Sequence, residues 1–192
     1  MKKNSNSNNS SKWSWIAKIF AITIVLATLL SLASEASLRN LSLPLAFVAL
    51  IFFVFIGILF DTIGVAVATA DITPFVAMSS KRITGAKEGM FLLKRADIVA
   101  NICNDVVGDI CGIISGAAGG IIVLTIVSRS KSVSELTISV ILSALIAGFT
   151  VAGKALGKMI AMKDNKEIVL FVGRIIHVFT GIWRRNNGQN NT

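Results

Sequence analysis

Between residues 101 and 112 the chain reads Asn101-Ile-Cys103-Asn104-Asp105-Val-Val-Gly108-Asp109-Ile-Cys111-Gly112, two carboxylates and two amides inside an apolar run. Drawn as an α-helix, Asn101, Asn104, Asp105, Gly108, Asp109, Gly112 and Ser115 fall within one arc of ~140°. Isoleucines, valines, Cys103 and Cys111 fill the rest. A second stripe, Asp61, Gly64, Ala68 and Asp71, recurs at steps of three and four. Oxygen-only groups of this kind suit Mg²⁺ or Ca²⁺ and do not suit soft metals. Carboxylates brought together repel and are driven toward protonation by burial, and a divalent ion relieves both effects. Asp61, Asp71, Asp105 and Asp109 would supply charge, and Asn101 and Asn104 neutral oxygens. A proton- or Na⁺-coupled site would use the same acids. A structural network would instead pair Asn with Asp, or Lys with Asp, between helices.

Other chemistries lack material. One His and no Tyr leave almost nothing for a His-based dyad or triad. Cys103 and Cys111, eight residues apart on one helix, form no CxxC pair and are too distant to bond to each other. They are expected to be inert packing residues. No enzyme activity is expected.

The elements that must position these groups are membrane helices. Of 192 residues, 54% are hydrophobic and only 15% charged, against about 25% charged in a soluble domain. The mean hydropathy is +0.75. Four apolar runs span about 13–34, 44–71, 98–128 and 136–157, each long enough for the ~20 residues that cross a bilayer. A helix is the way such a run satisfies its own backbone in lipid. The fold class is therefore an all-α integral membrane protein with four transmembrane helices. The first, preceded by a low-complexity polar head over 1–12 expected to be disordered, is a retained helix or signal anchor, with a cleaved signal peptide as the competing reading.

Basic residues set the orientation. With the N-terminus inside, sixteen of the nineteen Lys and Arg fall on the cytoplasmic side, leaving only Arg39, Arg129 and Lys131 outside. A plasma membrane of the bacterial inner type, with both termini cytoplasmic, is expected. The cytoplasmic link over 71–97 starts a helix at Thr73-Pro74, a hydroxyl cap followed by proline. In the tail, Ile168, Phe171, Val172, Ile175, Phe179 and Ile182 recur at helical steps over 166–185, with His177 at the polar edge. This predicts an amphipathic juxtamembrane helix on the inner leaflet, ahead of a disordered end over 186–192. Gly108, Gly112, Gly116 and Gly120 recur every fourth residue, and Ala144, Gly148 and Ala152 keep that step in the last run. Gly153 and Gly157 continue it one residue out of phase. Such ridges let helices approach closely.

Three local sequences carry a resemblance. Thr69-Ala-Asp71-Ile72-Thr73, with Met78-Ser-Ser-Lys81-Arg82-Ile83 after it, resembles the Ser-Gly-Ser-Glu-Thr segment of the CorB/CorC and cyclin-M (CNNM) magnesium transporters. Val107-Gly108-Asp109 resembles their Ile-Gly-Asn. Gly153-Lys154-Ala-Leu-Gly157-Lys158-Met-Ile-Ala161 resembles their Gly-Glu-x-x-Pro-Lys-x-x-Ala. The likeness covers residues 45–183, and the order of three spans, basic link and juxtamembrane helix agrees with that family's membrane domain. It implies a homodimer carrying dehydrated Mg²⁺, with ligand roles for Thr69, Asp71, Gly108 and Asp109. It also marks departures: Ile72 and Lys154 stand where the family has Glu, and Gly157 where it has Pro. The family's cytosolic regulatory modules are not in this sequence.

Overall fold

The computed structural model describes residues 42–129 and 134–188 (backbone only from 181), together with 20–21, 24–25, 27–29 and 31–36. All of the regular structure among these residues is helical. The expected first span falls largely outside the described residues, although those described between Phe20 and Ala36 are helical. The polar head and residues 189–192 lie outside them as well.

Three helices are long and apolar enough to cross a membrane: α1 (Leu43–Thr69), a continuous rod over Ala96–Arg129 here called α4, and α5 (Glu135–Lys163). The link folds into α2 (Thr73–Ser80) and α3 (Ala86–Leu93), and the chain ends in α6 (Asn165–Gly188). The last apolar run overshoots its sequence bounds, because the helix continues through Lys158 to Lys163 after the hydropathy has fallen. α1 lies at the centre and packs against both α4 and α5.

The start of α2 differs from expectation by one residue. Thr73 is the first helical residue rather than the cap. The capping oxygen comes from Asp71, whose Oδ1 accepts from the Thr73 N–H and the Thr73 hydroxyl, both at 3.0 Å.

α4 is interrupted. Residues Ile102–Val107 form a π-helical turn between two α-helical stretches. Hydrogen bonds there skip an extra residue, so the turn rotates the C-terminal stretch of α4 relative to the N-terminal one. Cys103 and Cys111 are consequently both buried, and the Cβ that Gly57 lacks would lie 3.2 Å from that of Cys111. Both cysteines pack against α1, Cys103 at Gly64 and Cys111 at Gly57.

Two apolar clusters hold the ends of the bundle. One joins Ala66, Val67, Phe75, Leu93, Ala161 and Val169, where α1, the link, α5 and α6 meet. The other joins Ala46, Leu50, Ala118 and Ile122 at the far end of α1 and α4. Asp61 lies between them along α1, as Asn104 does along α4 and Lys154 along α5.

α6 docks on α3 through glycine. A Cβ on Gly173 would run into the Gly85 carbonyl, and Gly85 itself has φ +85°, which a side chain would strain. Beyond this contact, His177 Nδ1 lies 2.7 Å from Glu88 Oε1, close enough for its N–H to donate to the carboxylate. Burial pushes the Glu88 carboxyl up. The His177 hydrogen bond, its own backbone N–H and the charges of His177 and Lys87 outweigh burial and leave it below the ordinary carboxylate range. A depressed carboxyl contributes stability that is fully present above its unfolded value, ~4.3, and lost as pH falls through the folded one. Acidification through this window is therefore expected to loosen α6, by less than about 1 kcal/mol for so exposed a pair. The check is thermal stability against pH, in which Glu88→Gln should flatten the acid limb relative to the wild type.

Candidate functional site

Asp61 is the one charged residue in the described core, with only 5% of its surface exposed. It is held inside because α1 buries the stripe Gly57, Asp61 and Gly64 against its neighbours. Gly64 lets Asn104 of α4 lie flat on α1, since a Cβ there would collide with the Asn104 side-chain oxygen. On the other side, Gly157 of α5 fits over Thr62, and Gly153 over Ile58. Of the small residues predicted to form a ridge on α5, the out-of-phase pair Gly153 and Gly157 makes the contact, whereas Gly148 faces open space.

This close approach of α5 brings Lys154 to the acid. Its ammonium Nζ lies 3.6 Å from Asp61 Oδ1, with 33% of the Lys154 side chain exposed. The pairing is ionic but longer than a good hydrogen bond. Asp61 Oδ2 and Asn104 Oδ1 are both buried and have no hydrogen-bond partner among the described residues. Asn104 meets α1 at Gly64, three residues from Asp61, so two orphaned acceptor oxygens sit about one turn apart on the face of α1. A buried acceptor left unpaired costs about 1–3 kcal/mol, more when charged.

The predicted site residues do not converge. The arc on α4 divides along its middle: Ser115 is buried, Asn104 and Gly108 are half-buried, and Asn101, Asp105, Asp109 and Gly112 are exposed. Asp109 lines a groove of about 580 Å³ together with Gly108, Gly112, Thr150 and Lys154, but Asp105 does not. On α1, Thr69 is exposed, and so is Asp71 just beyond its end. The Thr69 hydroxyl donates to the Val65 carbonyl at 2.8 Å. Asp71 serves α2, and the Thr73 N–H and hydroxyl hold its carboxyl below the usual range. No group of three or more His, Cys, Asp or Glu able to hold a metal occurs among the described residues. Asp71→Ala is thus expected to fray α2, seen as faster amide exchange over Thr73–Ser80, without altering cation response.

A second groove of about 610 Å³ continues from the first along α4 and α5. The α4 ridge opens onto it: a Cβ on Gly112, Gly116 or Gly120 would meet nothing within 4 Å. The ridge and the outer carboxylates therefore lie on a face that the described residues do not cover.

Lys154 is not among the expected cation ligands; it makes the Lys-to-Asp contact that the structural-network alternative expects, and its signal is a lone base inside the last apolar run.

No family model matches the chain, and no curated protein or solved structure matches it either. What the site does rests on its own geometry.

Proposed function

We propose that this protein binds and moves a divalent cation, Mg²⁺ by the hardness of its oxygen groups, through the polar layer around Asp61. The observation that carries the reading is the pair of buried acceptors, Asp61 Oδ2 and Asn104 Oδ1, without partners among the described residues. Ionisable groups at membrane depth are expensive and concentrate on ion pathways. Two ligands from one chain fall short of the six that Mg²⁺ takes, and it commonly keeps several waters. A second copy supports the remainder. Asp105 and Asp109 are exposed, and a carboxylate facing lipid at mid-span costs about 2.5–3.5 kcal/mol. A homodimer closing over that face would cover them and enclose the groove.

The basic asymmetry supports cytoplasmic termini in a bacterial-type plasma membrane, with the first apolar run as a fourth span. α6 then lies along the inner leaflet, with Phe171, Ile175 and Phe179 exposed toward lipid. The likeness of three short motifs to the CorB/CorC and cyclin-M membrane domain agrees with this reading.

The test is thermal stability of the detergent-purified chain as Mg²⁺ is raised to ~20 mM at constant ionic strength. A folded-state site with Kd ~0.2 mM would add about 2.7 kcal/mol. The rise should vanish in Asp61→Asn. The Lys154–Asp61 contact favours a second reading, a non-transporting scaffold or accessory subunit whose polar residues pair helices. No Mg²⁺ response, with oligomer assembly disrupted by Asp109→Asn, would select it.

A further inference from the structure

Lys154 occupies an unusual position for a structural base. Its backbone is fixed by Gly153 and Gly157, which seat α5 on Ile58 and Thr62 of α1. Its ammonium is not fixed in the same way. At 3.6 Å from Asp61 Oδ1 it exceeds hydrogen-bond length, and one-third of the side chain opens into the groove. A Cβ at Gly108 would sit 3.9 Å from Nζ, an ordinary contact, so the ammonium lies beside the α4 wall of the groove. Asp109, a second carboxylate, lines the same groove. A flexible ammonium therefore has a buried acid on one side and an open one on the other.

We infer that Lys154 is a resident cation that competes with the inorganic ion for Asp61 and swings into the groove, toward Asp109, when the ion binds. This deepens the cation reading above and rests on it. A tethered charge is present at high effective concentration, so a competitor must outbid it. A doubly charged ion does so more readily than Na⁺ or K⁺, because its attraction to the carboxylate is about twice as large at equal distance. Lys154 is thus a determinant of affinity and of selectivity for charge two over charge one.

The experiment titrates MgCl₂, and NaCl in parallel, into the full chain in detergent and follows thermal stability. Lys154→Gln should respond at a Mg²⁺ concentration ~tenfold lower than the wild type, equivalent to about 1.4 kcal/mol. It should also gain a response to Na⁺, and Asp61→Asn/Lys154→Gln should respond to neither. If Lys154→Gln keeps the wild-type Mg²⁺ midpoint, the resident-cation inference is overturned while the cation site stands. If none of the three proteins responds to Mg²⁺, the site itself is refuted and the inference falls with it. Should Lys154→Gln fail to fold, acetylation of Lys154 in the wild type by a small neutral anhydride, read by peptide mass, decides the matter. Labelling should rise severalfold with MgCl₂ and not with KCl of equal ionic strength. Labelling indifferent to Mg²⁺ would overturn the inference.

Discussion

Gly173→Val is expected to unseat α6 from the link. The Cβ it adds would meet backbone of one neighbouring segment: the Gly85 carbonyl oxygen, the Gly89 nitrogen at 3.0 Å and the Gly85 carbonyl carbon at 3.2 Å. A flexible side chain could turn away, but these atoms belong to α3 and the turn before it. The two helices must separate, and the apolar cluster loses the seat of Val169 beside Phe75 and Leu93. A loss of about 3 kcal/mol is expected, the upper part of the range for overpacking. Amide exchange should show protection collapsing over Asn165–Thr180 and Ala86–Leu93 while α1 and α4 keep theirs. Unchanged protection would mean that α6 is held by something other than this contact. Gly153→Ala offers a contrast within the same chain. Its new methyl would meet the end of the Ile58 side chain, which can change rotamer, so the effect should be small.

Removing the base from the polar layer is the second large effect. Lys154→Met leaves Asp61 as a buried carboxylate without its counter-charge. Breaking a buried pair by deleting one partner typically costs about 3–5 kcal/mol. The lower end applies here, because the partly exposed ammonium is already screened. Asp61→Leu/Lys154→Met should recover most of the loss, since replacing both charges by apolar groups removes the desolvation penalty as well. Unfolding of the purified chain by denaturing detergent gives the comparison. If the single and double variants are equally unstable, the pair is not what holds Asp61.

The three helices able to cross a membrane were legible in the sequence, because a crossing helix requires a long apolar run. The runs at 44–71, 98–128 and 136–157 correspond to Leu43–Thr69, Ala96–Arg129 and Glu135–Lys163. The helix start near Thr73-Pro74 was also legible, displaced by one residue because an acid two positions earlier makes the cap. The direction in which α4 faces was not. A wheel at constant pitch cannot anticipate the π turn at Ile102–Val107, nor which edge of a wide polar arc meets the neighbour. Asp105 and Asp109 share that arc with Asn104 and Ser115, yet they are exposed, on the edge that the described residues do not cover. Glu88 and His177, 89 residues apart, carry no local signal of their contact. Gly173 likewise reads as an ordinary helical glycine until α3 lies across it.

The division of the bundle into two apolar clusters around a polar layer has a mechanical meaning. No buried residue belongs to both clusters, so each end holds its own packing. The layer between them holds the Asp61–Lys154 contact and is packed through glycines and the two buried cysteines rather than through large side chains. Close approach of the helices there depends on small residues, so the layer that buries the charge is also the one where a side chain added at Gly57 or Gly64 would push the helices apart.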